Sequence, residues 1–312
     1  MPTRKQHYVN RFYLKPWTKN GKLASMIRGK ILPNALVNVA NERDFYEVAE
    51  LSPEDIYFLE HVVIAPAPDA VKSIFKEWLY SYILVGAAHK QLIENPNLSE
   101  NELRALWDTK LEFDEKYHAA IEGDLHTPLR QMQEGRTDFF EDAELAGAFF
   151  RSIALQYLRT KRMRAAMTAR MGSPIPGASM DRIWRPMIHM HAINVGASFF
   201  RQRSEMRLVL LNSPPEERFI TGDQPVVNLV DELDDKGIPL DLELYYPISP
   251  TRALILAKQA SPRFSVNRVP SSEEMTGYNR RIVEAHYEQL YSDSADRLER
   301  WQHLALLTGG WN

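Results

Sequence analysis

The sequence predicts an α+β fold: a small mixed or antiparallel sheet built from N- and C-terminal strands, with a large inserted helical block. Three observations predict it. Short β-forming segments broken by turn residues occupy the first fifty positions and return after residue 206. Between them, apolar residues recur at three- and four-residue spacing. Neither end holds enough strands for a stable sheet, so the two ends are expected to share one. We therefore read a single α+β domain over 1–312, with N-terminal strands over 1–51, a helical block over 52–206, and C-terminal strands and a helix over 207–312.

The elements follow in order. Residues 5–12 suit a strand, and Asn20-Gly21 is a turn signal between two extended segments. Pro33-Asn34 and Asn41-Glu42 are further breaks, and Asp44–Val48 reads as another short strand. Ser52-Pro53-Glu54-Asp55 then starts a helix, with serine as cap, proline at the first position and acids in the first turn. Helical periodicity covers 70–92, 99–121, 142–170 and 180–203. Ser99 and Glu102 form a capping box, and Gly172–Gly177 separates the last two helices. Strands are expected over Leu208–Leu211, Arg218–Thr221, Val226–Leu229, Leu242–Tyr246 and Ala253–Ala257, with a turn at Asp234-Asp235-Lys236-Gly237. A last helix is expected from about 271 to 290.

Composition narrows the class. Hydrophobic residues make up 44% and charged residues 25%, which is ordinary for a globular chain. The net charge of −3 is too small to imply a nucleic-acid or membrane partner by itself. The chain has no cysteine, which excludes disulfides, thiolate zinc sites and a cysteine nucleophile and suits a reducing cytosol. No signal-length or membrane-length apolar run is found, so a cytoplasmic protein without a membrane partner is expected. No phosphate loop, dinucleotide fingerprint, nucleophile elbow or His-Glu-x-x-His occurs, which argues against the common enzyme classes built on them.

Five places are candidates for chemistry. Strand alternation puts Lys5, His7, Val9 and Arg11 on one face, where His7 beside two cations suits a proton carrier or a phosphate contact. The alternative is a hydrogen-bonded histidine that pins the first strand. Asp223, in the turn Thr221-Gly222-Asp223-Gln224-Pro225, could ligate a divalent metal ion, orient a base, or simply cap backbone amides. The helix over 151–170 carries Gln156, Arg159, Lys161, Arg162, Arg164 and Arg170, which suit either a phosphate cleft or a solvated basic face. Glu115-x-x-His118 has the spacing of carboxylate-bridged metal bundles, but no second such pair exists, which argues against a metal there. His189 and His191 lie about 200° apart on a helix and cannot chelate one ion together, so a packing role is expected for both.

Three segments carry a resemblance. They are Lys-Gln-His-Tyr-Val-x-x-x-Tyr-Leu at 5–14, Thr-Gly-Asp-Gln-Pro-Val at 221–226 and Tyr-Pro-Ile-Ser-Pro at 246–250, followed by Asn279 and Tyr291-Ser292. Together they resemble domain of unknown function family 4238, over nearly the whole chain. The resemblance implies which residues matter but no reaction. It singles out His7, Gln156, Arg159, Asp223 and Asn279, which are polar and far apart in sequence. We expect them to converge in one cleft, with His7 as acid/base, Asp223 orienting it or holding a divalent ion, Arg159 binding an anion beside Lys5, and Gln156 and Asn279 positioning substrate. A phosphodiester uses that set best, so a hydrolase or nuclease-like enzyme acting on nucleic acid or a phosphorylated ligand is expected. A non-catalytic binding module for nucleic acid or protein is the second reading. A structural protein in which His7 and Asp223 are buried anchors is the third.

Overall fold

The computed structural model describes residues 4–93, 97–232, 234–235, 239–259 and 268–310. The turn expected at 234–237 falls partly outside these residues. The chain starts with strand β1 (Lys5–His7), then helix α1 (Arg11–Leu14), the hairpin β2 (Lys22–Ile27) and β3 (Lys30–Ala35), and β4 (Asn41–Arg43). The hairpin turns at Arg28-Gly29, both with positive φ, as a two-residue connection matched to strand twist requires. Asn20-Gly21 also turns with positive φ, but leads into β2 rather than closing the main hairpin. The first strand ends at His7, because Asn10 caps α1 by accepting the Phe12 amide at 2.7 Å. Residues 44–48 form a turn and an irregular stretch, not a strand.

The helical block holds α2 (Pro53–Phe58), α3 (Asp69–Ile93), α4 (Glu100–Gln133), α5 (Ala143–Leu158), α6 (Lys161–Met171) and α7 (Met180–Arg201). Reciprocal capping boxes start α2 (Ser52 with Asp55) and α4 (Ser99 with Glu102). The helix expected over 142–170 is broken at Arg159, and Thr160 caps the next one by accepting the Met163 amide. The strands β5 (Met206–Asn212), β6 (Thr221–Gly222), β7 (Val227–Asn228), β8 (Leu244–Ser249) and β9 (Arg252–Lys258) follow. Helix α8 (Ser272–Ala285) stops before His286, so the last expected helix gives up its final turn to β10 (Gln289–Ser292). Two short helices, α9 (Ala295–Glu299) and α10 (Gln302–Thr308), close the described chain.

The sheets are antiparallel. One has the order β3-β2-β10-β6, so strands from the two ends do share a sheet. A second has the order β5-β9-β8-β7, and β1 pairs with β4 alone. One apolar cluster runs through all three segments, from Tyr8 and Trp17 through Phe149, Phe150 and Trp184 to Leu254, Ile282 and Tyr291. No helix among the described residues is long and apolar enough to cross a membrane.

Helices α5 and α7 cross at Gly196. A Cβ there would meet the Arg151 Cα at 2.9 Å, and backbone cannot swing aside as a side-chain tip can. Gly196→Ala is expected to lower stability by about 1–3 kcal/mol through overpacking. Gly123→Ala on α4, where nothing lies within 4 Å, should instead gain about 0.5–1 kcal/mol from helix propensity. Urea midpoints of the two variants check the contrast.

Candidate functional site

The opening motif divides by strand alternation. Lys5 and His7 face a cavity, while Gln6 and Tyr8 point inward and are fully buried. Gln6 uses its whole amide: Nε2 donates to the Leu111 carbonyl at 2.9 Å and to Glu115 at 3.2 Å, and Oε1 accepts the Tyr46 amide at 2.6 Å. Strand β1 is thereby fixed to α4 and to the turn after β4. Tyr46 adds a bond from its hydroxyl to the His7 carbonyl at 3.0 Å. Val9, expected beside His7, is buried in the core instead, because the strand ends before it.

The cavity has a volume of about 490 Å³. Arg4, Lys5, His7, Asn10 and Arg11 form one wall, and Glu115, His118 and Glu122 the other. Those three lie on one face of α4, at spacings of three and four. Arg4 is paired with Asp44, whereas Lys5 and Arg11 make no ion pair among the described residues. His7 Nδ1 and Asn10 Nδ2 are buried without a partner among those residues. Burial, reinforced by the Arg11 charge and partly offset by a hydrogen bond to the Val39 backbone, pushes the His7 imidazole down to about 4, so it is neutral at pH 7. Burial raises the Glu115 carboxyl and holds the His118 imidazole well below its ordinary range.

Behind the α4 wall lies Arg159, only 2% exposed. It donates to Glu122 at 2.6 Å and to Gln156 at 2.8 Å, and approaches His118 Nδ1 at 3.4 Å. Gln156 in turn donates to the Tyr8 carbonyl at 3.2 Å. The α5–α6 break at Arg159 and Thr160 therefore leaves a buried cation whose charge reaches His7. Gln156 and Arg159 support the cavity from behind; neither lines it.

His118 has a second set of neighbours. Asp114, one turn earlier on α4, lies 3.8 Å from His118 Nε2 and 2.5 Å from Nε2 of His189 on α7. All three side chains are buried, and their potential ligand atoms lie within 4.8 Å of one another. Glu115, whose spacing to His118 argues against a metal pair in the sequence, turns toward Gln6, while Asp114 faces inward; His189 packs among aromatic rings as expected and also bonds Asp114. The signal available was Asp-x-x-x-His, whose spacing of four puts both groups on one helix face.

Asp223 and Asn279 do not join the cavity. Asp223 accepts the amides of Tyr287, Glu288 and Gln289 at 2.7, 2.7 and 3.0 Å. Both its oxygens are thus engaged by backbone amides away from the His7 cavity, so it does not orient His7. Burial, partly offset by those donors, raises its carboxyl to about 6. Asn279 accepts the Ile220 amide and donates to the Arg218 carbonyl, both at 3.0 Å. It borders a separate cavity of about 250 Å³ beside Arg218 and Trp301. The basic helix is also committed: Lys161 pairs with Glu42 and Glu288, Arg162 donates to the Glu284 and His286 carbonyls, and Arg164 pairs with Asp181.

Comparison with known proteins places the chain by family. A family model described as "Protein of unknown function (DUF4238)" matches residues 5–296. No curated protein and no solved structure matches the chain.

Asp223→Ala would leave three backbone amides without their acceptor. The loss is expected to be about 3 kcal/mol or more. Asp223→Asn, which keeps one acceptor oxygen, should fall between that variant and the parent in thermal melts. A melting temperature unchanged in Asp223→Ala would remove the anchoring role.

Proposed function

The chain belongs to the DUF4238 family, and from that premise we propose a phosphodiester-directed hydrolase, nuclease-like in its chemistry, whose working site is the His7 cavity. One observation carries the reading: an imidazole with a buried, unpartnered nitrogen lines an open cavity beside two cations, Lys5 and Arg11, that make no ion pair among the described residues. Unpaired Lys and Arg at a cavity mouth suit the oxygens of a phosphate group. A neutral imidazole suits a proton acceptor.

In this reading Lys5 and Arg11 hold the non-bridging oxygens, and His7 takes a proton from the attacking water. The new P–O bond forms as the bond to the leaving alkoxide breaks. That alkoxide is protonated from solvent in the open cavity, and the His7 proton is lost to water. The products are a phosphomonoester and an alcohol. Arg159, held by Glu122 and Gln156, contributes positive potential and keeps the α4 wall in place. Asp223 and Asn279 have no part in the chemistry. The cysteine-free composition supports a reducing, cytoplasmic setting. Lys5 and Arg11 equally suit a module that binds a phosphorylated ligand without turning it over. A nucleic-acid surface on α6 has less support, since Lys161, Arg162 and Arg164 are already engaged.

Turnover of a chromogenic phosphodiester and of short single-stranded DNA and RNA tests the proposal. His7→Ala and His7→Asn are expected to lose about 10²–10⁴ in kcat, as for removal of a general base, with melting temperature little changed. Lys5→Ala with Arg11→Ala should mainly raise KM. Full activity in both His7 variants would sink the assignment, and binding without turnover in the parent protein would favour the module.

The pH dependence has a defined sign. The His7 pKa is about 4 in the folded chain against an ordinary 6.5, so the unfolded chain binds more protons between those values. Stability from burying the neutral ring is full above 6.5 and is lost as pH falls through about 4. The acid limb of kcat/KM is expected near pH 4, and a limb at 6.5 would place the base elsewhere.

A further inference from the structure

We propose that Asp114, His118 and His189 form a binding site for one divalent transition-metal ion of the zinc class, directly behind the His7 cavity. The proposal does not rest on the hydrolase reading.

The first support is the donor geometry. A tetrahedral ion with bonds of about 2.0–2.1 Å sets its ligand atoms about 3.3–3.4 Å apart. His189 Nε2 lies 2.5 Å from one Asp114 oxygen, and His118 Nε2 lies 3.8 Å from the other. The first is a hydrogen bond that must open by about 0.8 Å to admit an ion and the second closes by about 0.4 Å, while all three donors lie within 4.8 Å of one another. The two imidazole rings are tilted by 49° with centroids 4.6 Å apart, so they are neither stacked flat nor splayed away from each other.

The second support is the state of the carboxylate. Asp114 is fully buried, and its only ion-pair partners among the described residues are the two histidines. Asp114 Oδ2 and His118 Nε2 have no hydrogen-bond partner among those residues. A buried carboxylate without a fixed positive partner is strongly disfavoured. A divalent ion between the three side chains would supply that charge. Arg159 does not supply it, because its pair is Glu122.

The third support is the surrounding shell. Trp78 and Tyr117 pack against His189 at 4.6 and 4.7 Å, and Tyr46 against His118 at 4.1 Å. Aromatic walls hold the rings in place, and the fourth position of a tetrahedral ion would fall to a water molecule. Two nitrogens and one carboxylate oxygen, without thiolate, suit zinc, cobalt or ferrous ions rather than magnesium or calcium, which prefer all-oxygen shells. With the ion on Nε2, His118 carries its proton on Nδ1, so the 3.4 Å approach of Arg159 to Nδ1 must open. Metal loading is thereby coupled to the wall of the His7 cavity.

The test uses the full chain, stripped with a chelator and titrated with Zn²⁺ and Co²⁺. One equivalent is expected, with tetrahedral Co²⁺ absorption and a melting temperature raised by about 5 °C at a hundredfold excess over Kd. Mg²⁺ should give neither signal. Asp114→Asn and His189→Gln should weaken Zn²⁺ binding by about 100-fold or more, beyond the loss typical of an outer-shell partner. His61→Gln, at an exposed site, should bind as the parent does. X-ray absorption at the zinc edge of the parent protein should count two imidazoles, a readout that survives if the variants fail to fold. Absence of Zn²⁺ or Co²⁺ binding at micromolar concentration, unchanged binding in both buried-site variants, or fewer than two imidazoles on the ion would overturn the site.

Discussion

The Asp223 carboxylate fixes the strand that joins the two ends of the chain. Its oxygens take three consecutive amides, from Tyr287 to Gln289, and so shape the entry into β10. That strand then pairs with β2 on one side and β6 on the other. Gln289, the last of the three, uses its side chain to reach the Tyr8 hydroxyl and the Ala40 amide, and it accepts a bond from Tyr291. A carboxylate in one turn thus fixes a strand, the strand fixes the hairpin, and the hairpin region fixes the segment bearing His7. Removing the first link exposes polar groups that have no water to replace it.

This network gives the three resemblance-bearing segments two different jobs. Tyr8, Asp223 and Tyr291 come from distant stretches of sequence and meet in one buried polar cluster. Lys5 and His7 belong to the same opening motif but sit on the opposite side of its strand, toward the cavity. Alternation lets a short segment anchor the fold with Gln6 and Tyr8 while turning Lys5 and His7 toward the cavity. The polar residues expected in one cleft therefore divide. His7 lines the cleft, Gln156 and Arg159 stand behind its wall, and Asp223 and Asn279 build the frame.

Much of this was legible in the sequence, and what was not has physical causes. The shared sheet was expected, but not because strands were too few, since β5, β9, β8 and β7 of the C-terminal segment form a four-stranded sheet by themselves; the helix starts followed from Ser52, Ser99 and Ser271 with their acidic partners. The helix break at Arg159 was hidden because the apolar period continues through it. The strand expected at Asp44–Val48 failed because Phe45 and Tyr46 are both buried, against the alternation a half-exposed strand requires. Asp114 and His189 were missed because 75 residues separate them and only the packing of α4 near α7 joins them. Glu115 is the more conspicuous neighbour of His118 in sequence, yet it turns toward Gln6. His191, two positions from His189, turns to a different side of α7, as helical geometry demands.

The slab behind the cavity concentrates buried charge in a way that stability alone does not explain. Arg159 with Glu122 lies on the Nδ1 side of His118, and Asp114 with His189 on the Nε2 side. Replacing buried ion pairs by apolar side chains of similar size is often neutral or stabilising. A fold that needed only to pack α4, α5 and α7 could do so with leucine and phenylalanine, as the neighbouring cluster of Phe149, Phe150 and Ile153 does. What the charged groups add is direction. Arg159 adds positive potential near His7, Asp114 holds the His189 ring, and His118 stands between these groups and the cavity. A change on the inner face of that ring, such as an ion on Nε2, therefore alters the wall that faces His7. The buried charge behind the cavity and the wall that faces His7 are coupled here through one side chain.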